Sequence, residues 1–193
     1  MRYLFIIVIA GVLTGCSTKY ENPHIEIQTK LGDIEVELYP KQAPKTVNAF
    51  LSYVKAGYYK NSSFYRVLNN DNQPSNAAKA ELIQGGLYRS IPKVHDTLTG
   101  IPHETTQQTK LLHKDGTISL ARLQPGTATS EFFICIGDQP GFDYGGENNA
   151  DKQGYAAFGK VVKGMDIVRK IYNQPENDQS FDPPVPVFNI VEL

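Results

Sequence analysis

The sequence predicts a mainly β fold, an antiparallel barrel whose ends are covered by two α-helices. Short segments rich in β-branched and aromatic residues recur along the chain, bounded by Gly, Pro, Asn or Asp. Only two segments place apolar residues at helical spacing, and they lie far apart in sequence. No strand-helix-strand unit repeats, which argues against a parallel sheet and for an antiparallel one closed on itself.

Taken in order, residues 25–29 and 34–39 read as a hairpin. In its second strand Ile34, Val36 and Leu38 alternate with Glu35 and Glu37, giving one apolar and one wet face, and Lys30-Leu31-Gly32-Asp33 turns the chain between the two. After Pro40 the period changes. Val47, Phe50, Leu51 and Val54 fall at i, i+3, i+4 and i+7, with Pro44 suited to a helix start and Gly57 to its end. Residues 64–68 and 82–86 are the next strands, parted by an amide-rich loop over 69–79 that lies beside them. Residues 87–110 carry little periodicity and are expected to wrap the outside as irregular structure, with Ile101-Pro102-His103-Glu104 anchoring part of it. Residues 117–121 form a strand entered through Asp115-Gly116. Residues 130–136 form another, with Glu131, Phe133 and Cys135 on one face and Phe132, Ile134 and Ile136 on the other. A Gly- and acid-rich excursion over 137–154 leads to a strand at 155–162. Met165, Val168, Ile171 and Tyr172 mark the inward stripe of the second helix, and residues 185–193 close the chain as a strand.

The chain has 193 residues, enough for one domain with a substantial core. A formal net charge of -1, with both signs mixed along the sequence, provides no basic field for nucleic acid. Hydrophobic residues make up 40% of the chain, which excludes a disordered protein, and no tryptophan is present. A monomer is the expectation. Residues 1–15 read as a signal peptide: Arg2 gives a positive start and an apolar run follows that is too short to span a membrane comfortably. Leu13-Thr14-Gly15-Cys16 resembles the lipobox of bacterial lipoproteins, which implies lipid on Cys16 and anchoring to a membrane of the cell envelope. Ser17 resembles the arrangement that permits delivery to an outer membrane; an ordinary cleaved signal is the alternative. Residues 16–23 then form a tether and 24–193 the domain. With Cys16 lipidated, Cys135 has no partner for an intramolecular disulfide and reads as a small buried hydrophobe.

One strand raises a question of function. Phe64-Tyr65-Arg66-Val67-Leu68 carries a full charge at its centre, and regular alternation places Phe64, Arg66 and Leu68 on one face. Leu82 and Gln84 share a face of the following strand, ahead of Gly85-Gly86, where another chain can approach the backbone. A guanidinium and a carboxamide thereby line one apolar groove, unless Arg66 is simply a surface residue of an edge strand.

Five dispersed motifs, in order and covering nearly all of residues 24–193, carry a resemblance. They are Phe64-Tyr65-Arg66-Val67, Ile83-Gln84-Gly85-Gly86, Ser119-Leu120-Ala121-Arg122, Ser130-Glu131-Phe132-Phe133-Ile134, and Ala157-Phe158-Gly159-Lys160-Val161 running into Gly164-Met165. The chain resembles the cyclophilins, peptidyl-prolyl cis-trans isomerases built on a closed eight-stranded antiparallel barrel capped by two α-helices. The resemblance implies that Arg66 is the catalytic arginine and Gln84 the glutamine beside it. It implies that Leu82, Phe133 and Phe142 form the proline pocket, that Ala121 is the wall contacting the residue before proline, and that Phe64, Arg122, Glu131 and Tyr155 line the substrate groove. It also implies proline-containing polypeptides as substrates and no cofactor. Departures from well-known members are Glu81 before Leu82, Glu131 for a glutamine, Arg122 for an asparagine, Tyr155 for a histidine, and Gly141 nearest the usual groove tryptophan. Glu131 either pairs with Arg66 and orients it or is a solvated rim charge.

The function so implied is acceleration of X-Pro bond rotation in envelope or exported proteins, and the alternative is a non-catalytic proline-binding or chaperone module. Histidines 24, 95, 103 and 113 match no metal-ligand spacing, so no metal is assigned. Asp138, Asp143, Glu147 and Asp151 lack the spacing of a calcium loop. No serine, histidine and aspartate arrangement stands out.

Overall fold

The computed structural model describes residues 20–193; the expected signal peptide and the expected lipid site at Cys16 lie outside the described residues. The chain forms β1 (His24–Thr29), β2 (Gly32–Leu38), α1 (Pro44–Lys55), β3 (Ser62–Leu68), β4 (Leu82–Gly86), α2 (Pro92–His95), α3 (Thr106–Thr109), β5 (Thr117–Leu120), β6 (Phe132–Cys135), a 3-10 turn (Pro140–Phe142), β7 (Ala156–Lys163), α4 (Met165–Tyr172), β8 (Glu176–Asn177) and β9 (Ser180–Glu192). The strands pair antiparallel in the order β1-β2-β7-β5-β6-β4-β3-β9, and β1 pairs with β9 to close an eight-stranded barrel. The short β8 adds to β9 beyond the barrel.

Alternation explains where the core sits. Ile25, Ile27, Ile34, Val36, Ile83, Ile118, Phe132, Ile134 and Phe158 fill the barrel and are almost wholly buried. Helix α1 presents Val47, Phe50, Leu51 and Val54, the stripe read from the sequence, and Phe50 packs against Tyr59, Phe132 and Phe158 with ring centroids 5.0 to 5.7 Å apart. Helix α4 buries Val168 and Ile171. Because α1 follows the C-terminal end of β2, while α4 follows the end of β7 that pairs with the start of β2, the two helices close opposite ends.

Residues 87–110 include two one-turn helices that periodicity does not show, and part of the segment serves α1. Ala43, at the helix N-cap, supplies no side-chain acceptor. The buried Glu104 carboxylate instead accepts from the backbone N–H of Lys45 (3.2 Å) and Thr46 (2.8 Å) and from the Thr46 hydroxyl (2.8 Å). A carboxylate there satisfies orphan donors and faces the positive end of the helix dipole.

In β3 regular alternation fails, and it fails at the site. Phe64 pairs with Gly85 but Arg66 pairs with Gln84, so β3 gains a residue on its partner at Tyr65. A bulge of one residue reverses the facing of the residues after it. Phe64 and Val67 therefore both enter the barrel core, while Tyr65, Arg66 and Leu68 face outward.

Candidate active site

The outward residues of β3, β4 and β6 form one wall of a groove of about 860 Å³. Leu68, Ala80, Leu82, Phe133, Cys135 and Phe142 make a second apolar cluster, separate from the barrel interior, with Ala121 and Tyr155 packed against it. Three rings shape its mouth. Phe133, Phe142 and Tyr155 stand edge to face in every pairing, with centroids 5.1 to 5.2 Å apart. Together with Leu68, Leu82 and Ala121 these rings line an apolar hollow at this end of the groove.

The sequence reading that finds no serine, histidine and aspartate arrangement is corrected beneath this hollow. His113 Nδ1 lies 2.8 Å from Asp143 Oδ1, and its Nε2 lies 3.0 Å from Ser119 Oγ. The carboxylate takes the proton-bearing nitrogen, which leaves Nε2 to accept from the serine. Ser119 and the His113 side chain are completely covered, so no substrate reaches them. His113 instead stacks on Phe133 and meets Phe142 edge-on, bracing both pocket rings from below. Cys135, also buried behind the pocket, has its thiol pushed far up by burial and is inert.

Arg66 is half-buried at the rim of this pocket, and both ends of its guanidinium fork are held. Nη1 donates to Gln84 Oε1 (3.2 Å) and Nη2 to Gln179 Oε1 (2.8 Å), which uses two of five N–H donors. Gln84 Nε2 in turn donates to the Tyr65 hydroxyl (2.7 Å), and that hydroxyl donates to Glu131 Oε2 (2.5 Å). Burial, followed by the charge of Glu131, pushes the Tyr65 hydroxyl far above its usual range, so it stays protonated as a donor.

Glu131 is neither a partner of Arg66 nor a solvated rim charge. It is buried, and its Oε1 accepts from the N–H of Leu87 (2.7 Å) and Tyr88 (3.0 Å) and from the Ser130 hydroxyl (3.0 Å). Gly86 makes room for it: a Cβ at this position, where φ is +145°, would overlap the carboxylate.

Two more expected groove residues have other roles. Phe64 is fully buried in the barrel core and does not line the groove, because the bulge turns it inward. Arg122 borders the groove, but its guanidinium holds Asp151 in a two-point ion pair (2.7 and 2.9 Å) and donates to the Gly154 carbonyl (2.6 Å). It also lies over the Tyr155 ring at 5.5 Å, so it fixes the loop that presents Tyr155. Arg66, Gln84, Leu82, Ala121, Arg122, Glu131, Phe133, Phe142 and Tyr155 do line the groove, so Phe64 alone among the expected residues lies elsewhere. Where the sequence has Gly141, the side chain of Asn148 takes the space that a larger residue would need. Glu81 accepts from the Tyr172 hydroxyl (2.6 Å) and stands outside the groove.

Tyr65, Leu68, Asn148 and Gln179 also line the groove, beyond the residues expected there. Tyr65 has a signal in its place beside Arg66, masked by the bulge. Gln179 has none, since the β8–β9 hairpin that carries it does not show in the sequence pattern. Among the described residues, no group of three His, Cys, Asp or Glu side chains is arranged to hold a metal ion.

Comparison with known proteins accords with this geometry. The family model described as cyclophilin type peptidyl-prolyl cis-trans isomerase/CLD matches residues 24–192. A peptidyl-prolyl cis-trans isomerase of Acinetobacter baylyi is 36% identical over 181 residues, covering 93% of this chain and 87% of that protein. Peptidyl-prolyl cis-trans isomerase B of Escherichia coli is 34% identical over 148 residues, covering 76% and 82%. Among solved structures, a cyclophilin type isomerase from Cryptosporidium parvum superposes with a TM-score of 0.68 at 24% identity, covering 89% of this chain and 98% of the other. A second structure of that protein, obtained in the presence of the dipeptide Ala-Pro, gives a TM-score of 0.66 at 25% identity, covering 87% and 97%.

Proposed function

This chain belongs to the cyclophilin-type peptidyl-prolyl cis-trans isomerases, and on that premise we propose that Arg66 is its electrostatic catalyst and the hollow of Phe133, Phe142 and Tyr155 its proline seat. The carrying observation is the two-sided fixing of the Arg66 fork at the rim of that hollow.

Rotation about an X-Pro bond faces a barrier of about 18 to 20 kcal/mol because the nitrogen lone pair is delocalised into the carbonyl. The lone pair is freed only as the bond twists. A positive charge held beside the prolyl nitrogen therefore stabilises the twisted transition state more than either planar ground state. Arginine suits this task because it stays charged and its planar fork is set by two hydrogen bonds. The apolar pocket grips the pyrrolidine ring, and the open side of the groove leaves the preceding residue free to turn. Gln84 fixes one side of Arg66 and stands where a substrate amide passes.

A protease-coupled assay on a proline peptide tests the assignment. Wild type accelerates the exchange, and Arg66→Ala loses about a hundredfold or more of kcat/KM. Unchanged activity in the variant overturns the role of Arg66, and no acceleration by wild type leaves a proline-binding module. The clients are taken to be envelope or exported polypeptides, a reading supported by the signal peptide and by the lipobox-like Leu13-Thr14-Gly15-Cys16. Labelled fatty acid should enter the wild type and not Cys16→Ala; equal labelling sinks the anchor.

A further inference from the structure

The geometry points to Gln179 as a positioning residue for Arg66, with the 69–79 loop setting the direction of its carboxamide. This rests on the catalytic role given to Arg66 above. A carboxamide beside a guanidinium is helpful in one orientation and harmful in the other, since a flip of half a turn exchanges acceptor for donors. Gln84 is kept the right way round by Tyr65 and Glu131. Gln179 is kept so by the loop: its Nε2 donates to the Asn72 carbonyl (3.1 Å), which leaves Oε1 facing Arg66 Nη2.

The loop is built to hold that carbonyl. Asn72 Oδ1 accepts from the N–H of Asn69 (3.0 Å), and its Nδ2 donates to the Val67 carbonyl (3.2 Å) next to Arg66 in the chain. Asn69 Oδ1 accepts from the N–H of Asp71 and Asn72, both at 2.9 Å. From the other side, Glu176 Oε2 accepts from the Gln179 N–H (3.0 Å), and the Gln179 carbonyl accepts from the Val67 N–H (2.9 Å). Backbone and side chain of Gln179 are thus tied to β3, β8 and the loop at once.

The backbone supplies an independent observation. Asn177 pairs with Ser180, so Asp178 and Gln179 form a two-residue hairpin turn, with φ of 47° and 67°. Such turns need positive φ at both positions, and Asn-Gly meets that need with least strain. A glutamine in the second place goes against the local preference of the turn. The strain has a counterpart in function, since this side chain is the one that reaches Arg66.

Two variants test the inference. Gln179→Gly relieves the turn, so the fold melts no lower than wild type, yet kcat falls about tenfold while KM stays within about twofold. In the same variant the Arg66 side-chain NH signals in nitrogen-15 NMR broaden toward merging, as the fork, now held by Gln84 alone, rotates faster. Gln179→Glu keeps an acceptor toward Arg66 and loses the donor toward Asn72, and it retains kcat to within about threefold of wild type. A Gln179→Gly enzyme with kcat unchanged overturns the inference. So does a Gln179→Glu enzyme as slow as Gln179→Gly, because the side chain would then act only through the loop. Arg66→Ala in the same assay separates the two levels: an active Arg66→Ala removes the role of Arg66 and this inference with it, whereas an inactive Arg66→Ala beside a fully active Gln179→Gly removes this inference alone.

Discussion

Replacing Glu131 by glutamine changes one oxygen to nitrogen and restores the residue that well-known cyclophilins carry before the paired phenylalanines, yet it should harm this enzyme. Oε1 of Glu131 serves three donors and Oε2 serves one, the Tyr65 hydroxyl. In Glu131→Gln the remaining oxygen must take the three-donor side, so the new amide nitrogen faces Tyr65. That hydroxyl then has donors on both sides, the introduced amide and Gln84 Nε2. Either its own proton is left buried without an acceptor, or Gln84 flips to accept it and turns its nitrogen toward Arg66. A lost hydrogen bond to a charged group, or a buried donor left unpaired, costs about 2 to 3 kcal/mol. For a domain of this size that lowers the melting temperature by about 4 to 12 °C. If Gln84 flips, one half of the Arg66 fork loses its partner and kcat/KM drops about tenfold. Calorimetry and the protease-coupled assay read the two effects separately. A Glu131→Gln enzyme that melts within about 1 °C of wild type refutes the energetic argument. One that melts low but isomerises at full rate shows that the chain from Glu131 does not orient Gln84.

Two further predictions concern stability. Glu104→Ala strips the start of α1 of its side-chain acceptor and leaves the buried Thr46 donors unpaired, so the fold should lose about 1 to 3 kcal/mol by denaturant titration. Asp151 is held at about 2, against an ordinary 3.8, first by the Arg122 guanidinium and then by the Gln153 N–H. A carboxyl depressed on folding stabilises above its unfolded value and loses that contribution as pH falls through its folded one. Asp151→Asn should therefore melt below wild type at neutral pH, with the gap closing between about pH 4 and pH 2. A gap that stays constant across that window would show that Arg122 does not need the charge.

Much of the fold is legible in the sequence because alternation and helical spacing report burial directly. Residues 130–136 show it best: Phe132 and Ile134 enter the barrel while Phe133 and Cys135 join the apolar cluster on the groove side, as their parity requires. Parity misleads at Phe64 because a bulge is a feature of pairing between two strands, and nothing in the five residues of one strand encodes it. Glu104 reads as an anchor but not as a cap, since the N–H groups it serves lie 58 and 59 residues away. The hairpin of β8 and β9 stays hidden because Asp178-Gln179 is a poor match to turn preference and prolines 183, 184 and 186 mask the strand. Local pattern reaches Arg66, Leu82 and Gln84, which alternation puts on one groove; Phe133, Phe142 and Ala121 follow from the family resemblance, and the polar chain that orients Arg66 joins five separate segments.

This division has a mechanical meaning. Phe133 is bonded through its backbone to β4 on one side and β5 on the other, and His113 braces its ring, so this ring of the proposed proline seat is anchored in the barrel itself. Arg66 projects from a bulge, where the ladder is interrupted, and owes its placement to side chains drawn from β4, a hairpin turn and a loop. On the roles proposed above, binding and catalysis would depend on different parts of the same wall. Changes to the pocket rings should weaken the hold on proline and raise KM, whereas changes to the polar chain should leave that hold intact and lower kcat, because the charge is stabilising only when it stands beside the twisting nitrogen.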